Sequence, residues 1–476
     1  MIHEKNKKGL ISHRSTLFLL IFLSSAISLF AQEQVFFPAP PVDSTAKIPL
    51  KERPVTKRFG RAALLLGISE TAPFLSDRYV RNVDYAQIDF KSTGYNMNPA
   101  HWAWDDDEFG TNQFAHPYHG SLFYNSFRSN GYSFWESVPA AFAGSYLWET
   151  FAEVQAPSIN DFINTSVGGI ILGEMTHRIS NKIVNNRHTG FRRQVNEVIA
   201  LLINPTNGLN RILDKRWGKA MRNTKQTDSS KISAEFDIGQ RKFNTGDMIA
   251  PRYGWYGRMR FLYGTPYENY RIPFSNMSIQ MEFGKDDSSL VNSVSVYGSL
   301  AGWEMKSTEK MKSYAILSAN YNYLNNEAFY YSAMSVKLNI LTDLGLMRKA
   351  KVNTNVGLGV VVLGAVPDAY ADVQNRKYNY GSGVSFNIGG GVNLLEKFYY
   401  GLNYRAGWLV TLNGNPSHFY LHTVTSEIRY MFIKNVSFCV EPGYYKLYGV
   451  YNNLPDINRS YPYIRLSLRY HLSAQQ

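Results

Sequence analysis

From about Lys231 onward, apolar and polar residues alternate along the chain. Near the end, Pro462, Ile464, Leu466, Leu468, Tyr470 and Leu472 stand between Tyr461, Tyr463, Arg465, Ser467, Arg469 and His471, so an extended strand would carry one apolar face and one polar, basic face. The same period of two recurs at 422–433, where Val424, Ile428, Tyr430 and Phe432 interleave with Thr423, Thr425, Glu427 and Arg429. It returns at 398–412, with Phe398, Tyr400, Leu402, Tyr404, Ala406, Trp408 and Val410 on one side. Twelve such segments can be counted, near 231–243, 252–264, 274–284, 293–306, 314–325, 330–344, 352–366, 383–396, 398–414, 422–433, 436–451 and 460–472. An even number suits a closed bacterial barrel. The connections alternate as well: Glu396-Lys397 and Lys434-Asn435 are tight turns, whereas 366–382, 412–422 and 451–459 are longer and rich in Pro, Asn, Gly and Tyr. Short turns would face the periplasm and long loops the exterior, which puts the end of the last strand in the periplasm.

A soluble β-sandwich or a lipocalin-like barrel also shows period-two strands with one buried face. Three features favour the membrane. The segments run 11–17 residues, nearer the ~9–11 of membrane strands than the ~5–6 of soluble sheets. Phe398, Trp408, Tyr430, Phe432, Tyr444 and Tyr470 fall near segment ends, where an interfacial aromatic girdle would sit. The opposite faces carry Glu235, Asp237, Arg258, Arg260, Glu282, Arg405, Glu427, Arg429, Glu441, Arg465 and Arg469, too polar for a dry core and suited to a barrel lumen. A twelve-strand barrel is narrower than the 16–18-strand porins, so inward side chains of this size would nearly fill it and no open pore follows.

The chain before the barrel is of another kind. Lys5 to Arg14 is a positive stretch, Thr16 to Phe30 an apolar one, and Ala31 a small residue before Gln32, the pattern of a secretory signal peptide (1–31) cut after Ala31. Residues 32–57, with Pro38, Pro40, Pro41, Pro49 and Pro54, read as a Pro-rich linker. Residues 58–228 read as a helical domain, periplasmic or at the membrane surface, with the barrel occupying 229–476. Ser158-Ile-Asn-Asp161 is a helix start, with the helix running to about Val184, and Thr165, Gly169, Gly173 and His177 form a small-residue stripe along it for close packing on another helix. Ser133-Phe-Trp-Glu136 offers a second start, which Pro139 would move to Ser137. No apolar stretch here is long and clean enough to span a bilayer alone.

The 476 residues suffice for two domains or one large barrel. The net charge of +13 falls only to about +10 once the N-terminal basic residues are set aside, so the surface itself is basic. For an exported chain this favours anionic lipid headgroups or lipopolysaccharide as partners, with other envelope proteins, over nucleic acid. The single cysteine, Cys439, excludes intramolecular disulfides and multi-cysteine metal sites. A mean hydropathy of −0.28 argues against a bundle of membrane helices.

In the N-terminal half, Asn98-Pro-Ala-His-Trp-Ala-Trp-Asp-Asp-Asp107, Asn112-Gln-Phe-Ala-His-Pro-Tyr-His-Gly120, Gly144-Ser-Tyr-Leu-Trp-Glu149 and Pro157-Ser-Ile-Asn-Asp161, followed by Gly168-Gly169 and Gly173-Glu174, resemble the uncharacterised family catalogued as domain of unknown function 3943. The resemblance covers roughly residues 80–185. It implies a bacterial envelope protein, chiefly of Gram-negative bacteria, and no known activity, so no catalytic residue is carried over from it.

The chemistry the residues themselves offer is incomplete. His116 and His119 flank Pro117-Tyr118, Glu149 and Glu153 share a helix face at i, i+4, and Glu174 with His177 forms an i, i+3 pair. With Asp161 these are the candidates for a metal or an acid–base site. A di-iron bundle needs two Glu-x-x-His pairs and one is present; a His-Glu-x-x-His motif and a nucleophile elbow are lacking. The dull alternative has the acids capping helices or pairing with Arg128, Arg178, Arg192 and Arg193. The acidic run Asp105–Glu108 lacks the spacing of a calcium loop and reads as solvated. Gly389-Gly-Gly391 lies inside a strand with no Lys-Ser/Thr behind it, so no cofactor is called for. Three functions compete: a non-enzymatic envelope component or narrow channel, an outer-membrane enzyme acting on lipid or lipopolysaccharide through the His/Glu residues, and a soluble periplasmic binding protein.

Overall fold

The computed structural model describes residues 56–220, 232–244, 251–267, 270–284, 290–326, 330–347, 350–370 and 376–474. The signal peptide and the linker up to Val55 lie outside the described residues.

The alternating half closes into a barrel of twelve antiparallel strands. These are β1 (Ile232–Phe243), β2 (Arg252–Tyr263), β3 (Met277–Gly284), β4 (Val291–Ser307), β5 (Met311–Asn325), β6 (Tyr330–Met347), β7 (Ala350–Pro367), β8 (Tyr378–Leu394), β9 (Phe398–Asn413), β10 (Ser417–Ile433), β11 (Val436–Tyr451) and β12 (Ile457–Ala474). Each strand pairs with its neighbours in sequence, and β1 closes on β12 with Asp237 opposite Arg469. The connections after β4, β8 and β10 are short, and that after β2 is the long one on their end of the barrel. The expected loops 366–382 and 412–422 are shorter than read, because β8 begins at Tyr378 and β10 at Ser417.

Alternation decides which side each residue takes. Ile238, Leu358, Leu466 and Leu468 point outward and are exposed, while Asp237, Arg258 and Arg469 point inward and are buried. An apolar exterior around a charged interior inverts the polarity of a soluble protein and fits a barrel that spans an outer membrane.

The helical residues form two bodies by contact: 56–175 belong with the barrel, and 176–220 are separate. The first holds α1 (Phe59–Leu75), α2 (Phe90–Asn96), α3 (His116–Arg128), α4 (Phe134–Phe151), α5 (Ile159–Ile163) and the start of α6 (Gly169–Val184). Contrary to the reading of Pro139, α4 begins at Phe134, capped reciprocally by Ser133 and Glu136, and holds Pro139 within it. The expected stripe packs as read as far as Gly173: a Cβ on Gly169 would overlap the backbone of Gly120, and one on Gly173 would strike Tyr124.

These helices lie against the outer face of the barrel, not in its lumen. Tyr321 and Tyr323 of β5 share the outward parity of the exposed Val336 and Leu338, yet both are buried. The Tyr321 hydroxyl donates to the Gln113 carbonyl, and Phe109 stacks on Tyr323 at 5.4 Å. On β8, Asn112 donates to the Tyr378 hydroxyl at 2.9 Å and Gln113 to that of Tyr380 at 3.2 Å, while Trp104 lies 5.2 Å from the Tyr380 ring. Phe134 packs 5.8 Å from Phe274, whose ring fills the space that a side chain at Gly298 would need.

The second body comprises the rest of α6 with α7 (Gly190–Ile203) and α8 (Pro205–Leu213). Its apolar core is Ile183, Val184, Ile199 and Ala200. Beside it the buried Glu197 carboxylate accepts from Arg193 and Arg211, each at 2.6 Å.

Candidate functional site

A short parallel bridge builds the polar centre of the helical segment. Ala103 donates to the Pro157 carbonyl at 2.9 Å and Ile159 donates back to that of Ala103 at 2.8 Å, which draws residues 103–107 against the start of α5. Asp105 is thereby removed from the solvated loop in which its sequence neighbours suggested it. Its Oδ1 accepts from Asn112 at 2.7 Å and from Asn160 at 3.0 Å, and Asn160 also donates to Asp161 at 3.0 Å. Asp161 lies in the first turn of α5, whose N-cap Ser158 accepts from the Asp161 backbone at 3.2 Å. His116 opens α3 behind a π-helical turn at Thr111–Ala115, with Nε2 3.6 Å from Asp161 Oδ1, beyond hydrogen-bond range. Glu149, near the end of α4, accepts from the Ser158 backbone at 2.8 Å.

Of the sequence candidates, His116, Asp161 and Glu149 thus gather around Ser158 and Asp105, and the others go elsewhere. His119, one turn on from His116, sets Nε2 3.0 Å from the Ser69 carbonyl and its ring edge-on to Trp148 at 4.5 Å. The expected i, i+4 pair of Glu149 and Glu153 is corrected, because α4 ends at Phe151 and Glu153 lies past it, accepting from Trp148 Nε1 at 2.7 Å. Glu174 is tied into a buried ion pair with Arg128 at 2.7 Å and accepts from the Tyr124 hydroxyl at 2.7 Å, the structural role weighed against catalysis. His177 belongs to the separate helical body, its Nε2 3.0 Å from Asn181 Nδ2. Among the described residues no three His, Cys, Asp or Glu side chains come together as a metal site would need. Asn160, which bridges Asp105 and Asp161, and Asn112, which joins Asp105 to the Tyr378 hydroxyl, have no spacing signal of their own; only their presence in the quoted motifs marked them.

Burial sets the charge state of this centre. It pushes the His116 imidazole down to about 4, although the charge on Asp105 opposes the shift, so the ring is neutral near neutral pH. Burial, then the nearby Asp105, holds Asp161 well above the usual carboxylate range. Glu149 is likewise raised by burial, then by Glu153. Asp105, despite its own burial, is held low by the hydrogen bonds it accepts. The centre is therefore one carboxylate surrounded by donors, beside a neutral imidazole. It can hold or pass a proton, and the Ser158 hydroxyl beside it is engaged as a helix cap.

Inside the barrel the predicted lumen residues form a continuous network. Arg258 bridges Asp237 and Glu441 at 2.7 Å each, Arg465 joins Glu441 at 2.6 Å to Glu282 at 2.9 Å, and Arg469 joins Asp237 and Glu427 at 2.7 Å each. Arg260 pairs with Glu235 at 2.7 Å, and Arg429 reaches the same carboxylate at 3.4 Å. The side chains of Arg469, Asp237 and Arg258 are only 1%, 2% and 4% exposed, so this part of the lumen is packed and dry. Arg405 also faces inward by register but is exposed, opposite Asn387 and Thr423. Toward the other end, inward residues of β6, β7 and β9–β12, among them Leu409, Phe419, Leu421, Leu447 and Tyr451, form an apolar cluster. Over it, Tyr370 donates to the Pro455 carbonyl at 2.7 Å and Tyr451 to Asp368 at 2.9 Å, tying the loop after β7 to the loop before β12.

No curated protein matches this chain. Solved structures with some likeness include the NanC porin (10% identity, TM-score 0.29, covering 49% of this chain and 98% of that one). An outer membrane channel from Pseudomonas putida F1 is similar at 11% identity and TM-score 0.29 (52% and 96%). The KdgM porin is similar at 12% identity and TM-score 0.24 (50% and 98%). The family described as domain of unknown function (DUF3943) matches residues 101–206, the stretch that carries Asp105, His116, Glu149 and Asp161, in agreement with the motifs. Over residues 101–206, then, this chain is similar to the family described as domain of unknown function (DUF3943).

Proposed function

We propose that the protein is a non-enzymatic component of the outer membrane, a barrel with a closed lumen that serves to hold its helical domain in place, and not an open channel. The observation that carries this reading is the packed lumen: buried ion pairs fill one side, and the apolar cluster under the tied loops occludes one end. Side chains lining an aqueous pore would be wet. In planar bilayers the purified protein should give no steady conductance, whereas Phe419→Ala combined with Leu447→Ala should open one. Ohmic steps from the unaltered protein would overturn the reading in favour of a channel. Export through a signal peptide cut after Ala31 belongs to the same proposal, and a mature N-terminus at Gln32 by mass spectrometry is its test.

A second reading, an enzyme acting on lipid or lipopolysaccharide, rests on the neutral His116 beside Asp161 and Asp105. It predicts turnover of a lipid that His116→Ala abolishes while leaving the folded barrel intact. Unchanged lipid composition on exposure to the purified protein would remove it.

A further inference from the structure

We infer that the outer side of the helical segment is a lipid-facing surface, in contact with acyl chains at the depth of the barrel's own apolar band. The inference rests on the reading of the barrel as membrane-spanning and adds where the helices lie. The outward patch they cover is not at the barrel rim: Gly298, beneath Phe274, and the buried Ala319 stand near the midpoints of β4 and β5. The middle of a membrane-spanning strand lies in hydrocarbon. On β6 the boundary falls within a single strand, since Met334 is covered while Val336, Leu338 and Ile340, on the same face, are exposed. Helices there occupy the place of lipid.

Their composition agrees. The exposed positions of α1 recur every turn as Phe59-Gly60, Ala63-Leu64, Gly67-Ile68, Thr71-Ala72 and Leu75, with no charge among them. On α4, past the first turn, the exposed residues are Pro139, Ala143, Tyr146, Leu147 and Phe151. Between these two lies α3, about half of it buried, with Ser121, Asn125 and Ser126 inside. Apolar outside and polar inside is the arrangement of protein bathed in lipid, and it continues the exposed belt of β6 and β7 without a polar break at Met334. None of these helices is long and apolar enough to cross the membrane. Held by the wall beside them, they need not cross it.

The test places single nitroxide labels, in full-length protein with Cys439→Ser reconstituted in phosphatidylcholine vesicles, at Leu64→Cys and Leu147→Cys. Leu466→Cys on the barrel exterior and Asn453→Cys in a loop are the references, and heat-modifiable gel migration verifies that each variant is folded. Collision with oxygen should exceed collision with a water-soluble nickel chelate at Leu64 and Leu147 as it does at Leu466. A nickel-dominated response there, with Leu466 lipid-exposed, would overturn this inference alone; a nickel-dominated response at Leu466 would overturn the membrane barrel itself. Exclusion of both reagents at Leu64 and Leu147 would also refute it and assign the surface to a protein neighbour.

Discussion

Glu174 shows how a residue with catalytic spacing is spent on structure. It is fully buried, and its partners Arg128 and Tyr124 project from α3. Removing the carboxylate leaves a guanidinium in a site closed to water, so Glu174→Ala should lower stability by about 3–5 kcal/mol in urea unfolding in detergent. Replacing a lipid-facing residue such as Leu64 with Ala should cost far less in the same assay. At this scale the sequence was partly legible. His116 and Asp161 could be named, and the Ser158 cap could be read from its own spacing. Asp105 could not, because a parallel bridge between residues 55 positions apart buries it, and no local pattern announces that bridge. The two histidines looked like a pair; one helical turn sends them to different neighbours.

Among elements, α3 and the start of α6 meet backbone to backbone. Gly169→Val would drive a branched side chain into the backbone of Gly120, an overpacking that costs roughly 1–3 kcal/mol or more. Limited proteolysis should then cut within 110–175 sooner than in the unaltered protein, with the barrel fragment resistant. In the separate helical body, burial works against the Glu197 charge, but Arg211 and Arg193 outweigh it and hold its pKa below the ordinary value. A carboxyl depressed on folding stabilises above its unfolded pKa of about 4.3 and loses that contribution as the pH falls through the folded value. Amide protection factors in α7 and α8, taken against the intrinsic exchange rate at each pH, should therefore fall on acidification below about pH 4, and Glu197→Gln should be less protected at neutral pH and flatter with pH. Strand content was legible wherever alternation ran unbroken. It was missed at 378–382 and 417–421, where Tyr, Asn, Gly and Ser look like loop residues and Tyr378 and Tyr380 are placed by the helices they meet.

For the molecule as a whole, the closed hydrogen-bonded wall predicts that unheated protein in dodecyl sulfate migrates faster than boiled protein, since the barrel opens only on heating. Equal migration would count against the closed barrel. The number of strands and the polarity of their two faces could be read from a period of two. What covers an outward face could not, because lipid and a helix ask for the same apolar residues there; only the burial of Val294, Val296 and Met334 beside the exposed Leu338 separates them.

The pairing of β1 with β12, from Ile232 opposite Ala474 to Phe243 opposite Tyr463, has a bearing on how the molecule comes to exist. Until the final strand arrives, both edges of the growing sheet present unpaired amide and carbonyl groups, which hydrocarbon cannot solvate. Insertion cannot then proceed strand by strand as synthesis goes on. The whole chain must first be released and kept from aggregating, and the wall must zip shut as it enters the bilayer. Seating the helices on β3–β8 belongs to that same late moment, because the surface they occupy does not exist before the wall does.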